Sequence, residues 1–226
     1  MKIDVFTLFP GWLDWFRGQR HVANALERGH SLEGVDLRAT TPMKDGRVDD
    51  TPYGGGAGMV IRVDVVEAAL EARWGADAVE GRGSRRVVAL APTGRQFDDS
   101  LATELAAEDE LALLCGRYEG FDERVHEHLA TDVVSIGPYV LAGGELAAMV
   151  VCDAILRKLP GALGHADSAL EESFSPALEG GPEYPHYTRP AEWRGSGVPE
   201  VLTSGDHGRV REWRLQRSRD RAAERP

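Results

Sequence analysis

Residues 3–9 are apolar almost without interruption (Ile3, Val5, Phe6, Leu8, Phe9), and this run constrains the fold more than any other feature. A half-exposed strand alternates apolar and polar side chains. A strand that does not alternate is covered on both faces, as in a parallel sheet between helical layers. Pro10-Gly11 stops it. Further strands are predicted over residues 35–40, 86–91, 111–115 and 133–136, and helices over 21–28, 62–74, 98–107, 122–129 and 145–159. Val22, Ala25 and Leu26 give the first helix its period, and Gly29 is placed to end it; Asp98 or Asp99 caps the third. Residues 41–59, built from Pro, Asp and Gly, read as a loop. Strands alternating with helices at this spacing specify an α/β domain with a largely parallel sheet.

Three successive strands each run into a glycine-bearing turn. These are Pro92-Thr93-Gly94-Arg95, then Gly116-Arg117-Tyr118-Glu119-Gly120, then the run from Gly137 through Pro138, Tyr139, Val140, Leu141, Ala142 and Gly143 to Gly144. Ligands of open α/β sheets sit beyond the C-terminal strand ends, and glycine lets main chain approach a ligand closely. The repetition predicts one shared pocket, with Tyr118 and Tyr139 as flat apolar surfaces. Familiar phosphate motifs are absent. The Gly54–Gly58 region holds no complete G-x-G-x-x-G and follows a long loop, no G-K-[ST] occurs, and no G-x-S-x-G elbow occurs. His126 and His128, two apart on a predicted helix, face different ways, and no metal site is expected. The ligand is therefore neither NAD nor a P-loop nucleotide.

Leu159-Pro160-Gly161 closes the α/β domain, expected to span residues 1–160. Residues 161–176 have no period and read as a linker, and residues 177–226 as a small helical domain ending in a helix over 208–223. A chain of 226 residues with 42% hydrophobic side chains buries a core without metals or disulfides. Two cysteines, Cys115 and Cys152, are too few for a disulfide framework and fit a reduced, cytoplasmic setting. The N-terminus lacks the apolar run of a signal peptide, and no run approaches the ~18 apolar residues of a membrane span.

The net charge of −11 argues against a nucleic-acid partner, but it is unevenly spread. The first 176 residues carry 17 basic and 29 acidic side chains, and the last 50 carry 9 and 8. The excess of Arg (23) over Lys (3) is what a GC-rich genome produces; the clustered Arg of the C-terminal tail is the hint of a partner.

Four blocks closely resemble the bacterial tRNA (guanine-N1)-methyltransferases of the TrmD type. They are Val48-Asp49-Asp50-Thr51-Pro52-Tyr53-Gly54-Gly55-Gly56-Ala57-Gly58-Met59, the segment from Leu114 to Val125 around Gly116-Arg117-Tyr118-Glu119-Gly120, the segment from Ser135 to Leu146, and Pro185-His186-Tyr187-Thr188-Arg189-Pro190. The likeness runs nearly end to end in the same order. It implies a SPOUT-type fold, in which the parallel sheet ends in a C-terminal trefoil knot and a small helical domain follows. It also implies S-adenosylmethionine bound by the three turns, a homodimer whose active sites use both chains, and methyl transfer to N1 of the guanine immediately 3′ of the anticodon in tRNA. Mg²⁺ is neither required nor excluded by the sequence.

Position by position, the resemblance places the methyl donor against Leu90, Pro92, Gly116, Ile136, Gly137, Pro138, Tyr139, Val140, Leu141, Gly143 and Gly144, with Tyr118 and Glu119 at the rim. It makes Arg157 the active-site arginine, Glu172 the catalytic carboxylate and Ser168 a substrate contact. On position alone, Arg157 is a helix-end charge complementing the dipole, and Glu171 and Glu172 are solvated linker charges. Three departures stand out: Pro138 where Asp is usual, Ala147 where Pro is usual, and Glu172 where the base is usually Asp. The last leaves Glu171 and Asp167 as alternative bases. Arg214 and Arg217, in the terminal arginine cluster, are the expected contacts to tRNA phosphates. Two other readings are a SPOUT methyltransferase acting on another RNA, which the blocks at 54–59 and 185–190 oppose, and a non-catalytic protein binding RNA or an adenosine ligand, which Glu172 favours.

Overall fold

The uninterrupted apolar strands do lie between two helical layers. The computed structural model describes residues 1–163 and 172–224, and the chain divides into two compact units, Met1–Gly164 and His165–Pro226. In chain order the first unit contains β1 (Lys2–Thr7), α1 (Trp12–Arg17), α2 (Arg20–Glu27), β2 (Ser31–Asp36), β3 (Asp49–Asp50), β4 (Val60–Ile61), α3 (Val63–Trp74), α4 (Ala78–Gly81), β5 (Arg86–Gln96), α5 (Asp99–Ala106), β6 (Glu110–Cys115), a π-helical turn (Val125–Leu129), β7 (Asp132–Ser135) and α6 (Glu145–Leu156).

Five strands form one parallel sheet in the order β2-β1-β6-β5-β7. Odd and even residues of the inner strands feed two cores. Ile3, Val5, Leu111, Leu113, Cys115 and Val88 pack with Leu13, Val22, Leu101 and Val151 from α1, α2, α5 and α6. Phe6, Ala112, Leu114, Val87 and Ala89 pack with Val65, Leu70, Ala78 and Val125 from α3, α4 and the π-turn. Burying both faces removes the alternation that would otherwise mark a strand. Within the second unit lie a 3₁₀ turn (Pro176–Leu178), a short hairpin of β8 (Glu192–Trp193) and β9 (Ser196–Gly197), α7 (Glu200–Thr203) and α8 (His207–Ala223), which Asp206 caps through the amides of Gly208 and Arg209.

Several elements differ from the sequence expectation. The second strand is Ser31–Asp36, not 35–40. It is an edge strand with mixed polarity, and Gly34 is required because a Cβ there would stand 2.8 Å from Pro10 Cβ. Pro10-Gly11 ends β1 but also opens α1, which the sequence reading missed. The predicted turn at residues 92–95 belongs to β5, which continues to Gln96 through a large bulge that moves the register on Val134 from Leu90 to Arg95. Gly94 permits this close crossing, since a Cβ would lie 2.5 Å from the β7 backbone. The helix expected over 122–129 forms over residues 123–129, but its last five residues, Val125–Leu129, are π-helical. The region beyond 177 is not purely helical, because its hairpin pairs Glu192 with Gly197.

Candidate functional site

A cleft of about 370 Å³ opens where β5, β6 and β7 end, and all three predicted segments line it. Leu90 and Pro92 come from the bulged part of β5. Gly116, Tyr118 and Glu119 come from the segment after β6, and Ile136, Gly137, Tyr139, Val140, Leu141, Gly143 and Gly144 from the segment between β7 and α6. Pro138 is a correction: it is exposed and stands outside the lining. Gly137 adopts φ +155°, where a Cβ would overlap the Tyr139 ring, so the chain turns outward at Pro138 and folds back at Tyr139. The fold is closed by Ser135 Oγ, which donates to Gly137 O at 3.1 Å, and by Tyr139 Oη, which donates to Ile136 O at 3.1 Å.

The segment after β6 is pinned from outside. Tyr118 is held at φ +58°, a left-handed conformation uncommon for a bulky side chain. Glu119 N donates to Met59 O at 3.0 Å, Ile61 N to Gly120 O at 2.9 Å, and Gly120 N to Arg117 O at 2.9 Å. Gly58 lets Glu119 lie across it, since a Cβ there would overlap that carboxylate. The glycine-rich segment at 54–59 thus reaches the rim of the cleft. The two remaining walls touch directly: Gly144 N donates to Gly116 O at 2.9 Å, and a Cβ on Gly144 would stand 2.7 Å from Cys115 Cα. Aliphatic side chains beside glycine-rich main chain form a slot for a flat, partly apolar ligand whose polar edge is read by backbone groups. A lining of this chemistry can take a flat nucleoside base.

Arg157 caps the C-terminus of α6 and is exposed; it belongs to the first unit. Glu172 belongs to the second, is half-buried, and accepts a bond from Ser175 N through its carbonyl at 3.0 Å. Ser168, with Asp167 and Glu171, lies outside the described residues. Arg214 lies over the Tyr184 ring at 4.7 Å, half-buried. Arg217 is exposed, 5.9 Å from the Trp213 ring and 2.9 Å from Asp220. Among the described residues no group of His, Cys, Asp and Glu is arranged to hold a metal ion. No helix there is long and apolar enough to cross a membrane.

The sequence reading did not single out Arg117 and Glu145. Glu145, 1% exposed, receives a 2.6 Å bond from Thr7 Oγ1 and lies 3.0 Å from Arg117 Nε. The available signal was an acid at the first position of a helix whose next seven residues, Leu146–Cys152, are all apolar. Cys115, beneath the cleft, has its thiol pushed well above the ordinary range by burial, with the Glu145 charge adding to the effect.

A sequence profile described as tRNA (Guanine-1)-methyltransferase TrmD matches residues 1–226. A tRNA (guanine-N(1)-)-methyltransferase of Rhodospirillum rubrum is 50% identical over 221 residues, 97% of this chain and 88% of that protein. Proteins of the same name from Brevibacillus brevis and Shouchella clausii are each 48% identical, covering 96% and 100% of this chain and 86% and 89% of theirs.

Proposed function

Because this chain belongs to the tRNA (guanine-1)-methyltransferase TrmD family, we infer that it transfers a methyl group from S-adenosylmethionine to N1 of the guanine immediately 3′ of the anticodon in tRNA. The observation that carries this reading is the single cleft made by the ends of β5, β6 and β7. Leu90, Ile136 and Leu141 would hold the adenine, and the main chain at Gly116, Gly137 and Gly143 would take its polar edges. When bound, the donor supplies a methyl already activated on sulfonium sulfur, so the protein has mainly to place it in line with N1.

Neutral guanine carries a proton on N1, and its lone pair there is unavailable until that proton leaves. Glu172 is the proposed general base, a role worth typically ~10²–10⁴-fold. A carboxylate is a weak match for so weak an acid, and Arg157 would offset the mismatch by holding O6 as its negative charge develops, worth ~3 kcal/mol for one well-placed donor. Glutamate has nearly the intrinsic acidity of the usual aspartate, about 4.3 against 3.9, but reaches one methylene further. The segment 177–226, with Arg214 and Arg217, would contact tRNA.

The finer architecture follows the same reading. Close passages of Gly94 against β7 and of Gly144 against Cys115 suit a trefoil-knotted path. Leu146 and Val150 leave an apolar strip of α6 exposed, suited to a second copy that shares the active site. Two free, buried cysteines suit the reducing cytoplasm.

The test is methyl transfer from labelled donor to two tRNA transcripts, one keeping guanine 3′ of the anticodon and one carrying adenine there. Label enters only the first. Equal labelling overturns the specificity. Labelling of neither, with donor still bound, favours the non-catalytic reading that the Glu172 departure raises.

A further inference from the structure

Glu145 is buried at the first position of α6, and no step proposed above uses it. Its Oε1 accepts from Thr7 Oγ1 at 2.6 Å, and Thr7 Oγ1 in turn accepts from Phe9 N at 2.9 Å. Arg117 Nε lies 3.2 and 3.0 Å from the two carboxylate oxygens, and its Nη1 donates to Ala142 O at 3.4 Å. The same guanidinium lies 4.4 Å from the Phe9 ring and 5.2 Å from that of Trp12. Glycine at 143 makes room for the pair, because a Cβ there would overlap Arg117 and stand 2.6 Å from Glu145 Oε2.

An ion pair at such a place is weak evidence for stability, since apolar residues of similar volume often do as well. Its connections suggest another use. Arg117 belongs to one wall of the cleft, Ala142 and Gly143 to the facing wall, and Thr7 to the end of β1. We propose that Glu145 and Arg117 are positioning residues: a buried latch that ties the two glycine-bearing walls to each other and to β1, holding the methyl-donor cleft in its binding shape. Fixing a cleft beforehand removes the ordering cost that binding otherwise meets. The proposal rests on the donor reading of the cleft.

The test titrates S-adenosylhomocysteine calorimetrically into the full-length protein and follows urea unfolding and tRNA affinity alongside. Glu145→Gln keeps the size of the side chain and a partner for Thr7 but releases Arg117. Donor-site affinity falls at least tenfold and KM for the donor rises in step, while kcat at saturating donor and tRNA affinity stay within about twofold. A double variant, Glu145→Gln with Arg117→Met, removes the buried charge imbalance and guards against simple unfolding. Its urea midpoint recovers while donor affinity stays low. Unchanged affinity in Glu145→Gln, or affinity that recovers together with stability in the double variant, makes the pair merely structural and overturns the proposal. Wild-type protein that fails to bind S-adenosylhomocysteine removes the donor reading itself, and the latch with it.

Discussion

Two glycines beside the cleft are needed for opposite reasons, and substitution separates them. Gly144 has φ −75°, which any residue adopts, but a Cβ would meet the backbone of Cys115 at 2.7 Å. Gly120 has φ +106° and open space around it. Gly144→Ala is expected to cost ~1–3 kcal/mol by overpacking and Gly144→Ser more, because the obstacle is main chain. Gly120→Ala costs ~1–3 kcal/mol through backbone strain, and Gly120→Ser no more than that; urea unfolding of the four variants gives the comparison. The buried thiols make a second prediction. Burial raises Cys115 and Cys152 in the folded chain, whereas an exposed thiol titrates near 8.5. Above about pH 8.5 the unfolded chain releases protons that the folded chain keeps, so stability declines with rising pH by up to ~1.4 kcal/mol per thiol per pH unit. The double variant Cys115→Ala with Cys152→Ala starts less stable and loses that part of the slope between pH 8 and 10.

Elements were legible in the sequence where one physical cause acted alone. The inner strands β1, β5 and β6 declared themselves because burial on both faces demands apolar residues throughout. The edge strand β2 did not, because its polarity is mixed and Gly34 answers to Pro10 rather than to the sheet. The bulge of β5 was hidden because Pro92-Thr93-Gly94 has turn composition, whereas its extension to Gln96 depends on β7, a nonlocal partner. The pocket was foreseen from three glycine-bearing segments, while Arg117 and Glu145 were not, because only the folded chain brings residues 28 apart into one ion pair. Helix α8 shows the same limit. Its arginines looked equivalent, yet Arg214 is half-buried over Tyr184 while Arg217 is exposed. Arg217→Glu therefore tests phosphate contact with less disturbance of packing. It is expected to weaken tRNA binding severalfold and to reduce the salt slope by about 1, leaving S-adenosylhomocysteine affinity unchanged. An unaltered tRNA affinity and slope would remove α8 from the tRNA contact.

For the whole molecule, the proposed roles of Arg157 and Glu172 combine with the proposed pairing of two copies into one prediction. If a site takes Arg157 from one protomer and Glu172 from its partner, two inactive variants complement each other. Arg157→Ala and Glu172→Gln, each inactive alone, are mixed in equal amounts after co-expression or reversible dissociation. Half of the resulting dimers are mixed, and each mixed dimer holds one intact site and one doubly damaged site. Activity should therefore return to about a quarter of the wild-type level, the value that twofold pairing sets. A site built within one protomer gives no recovery, because every site in the mixture then carries one lesion. Sedimentation of the same mixture supplies the control, since complementation requires the two variants to share a particle.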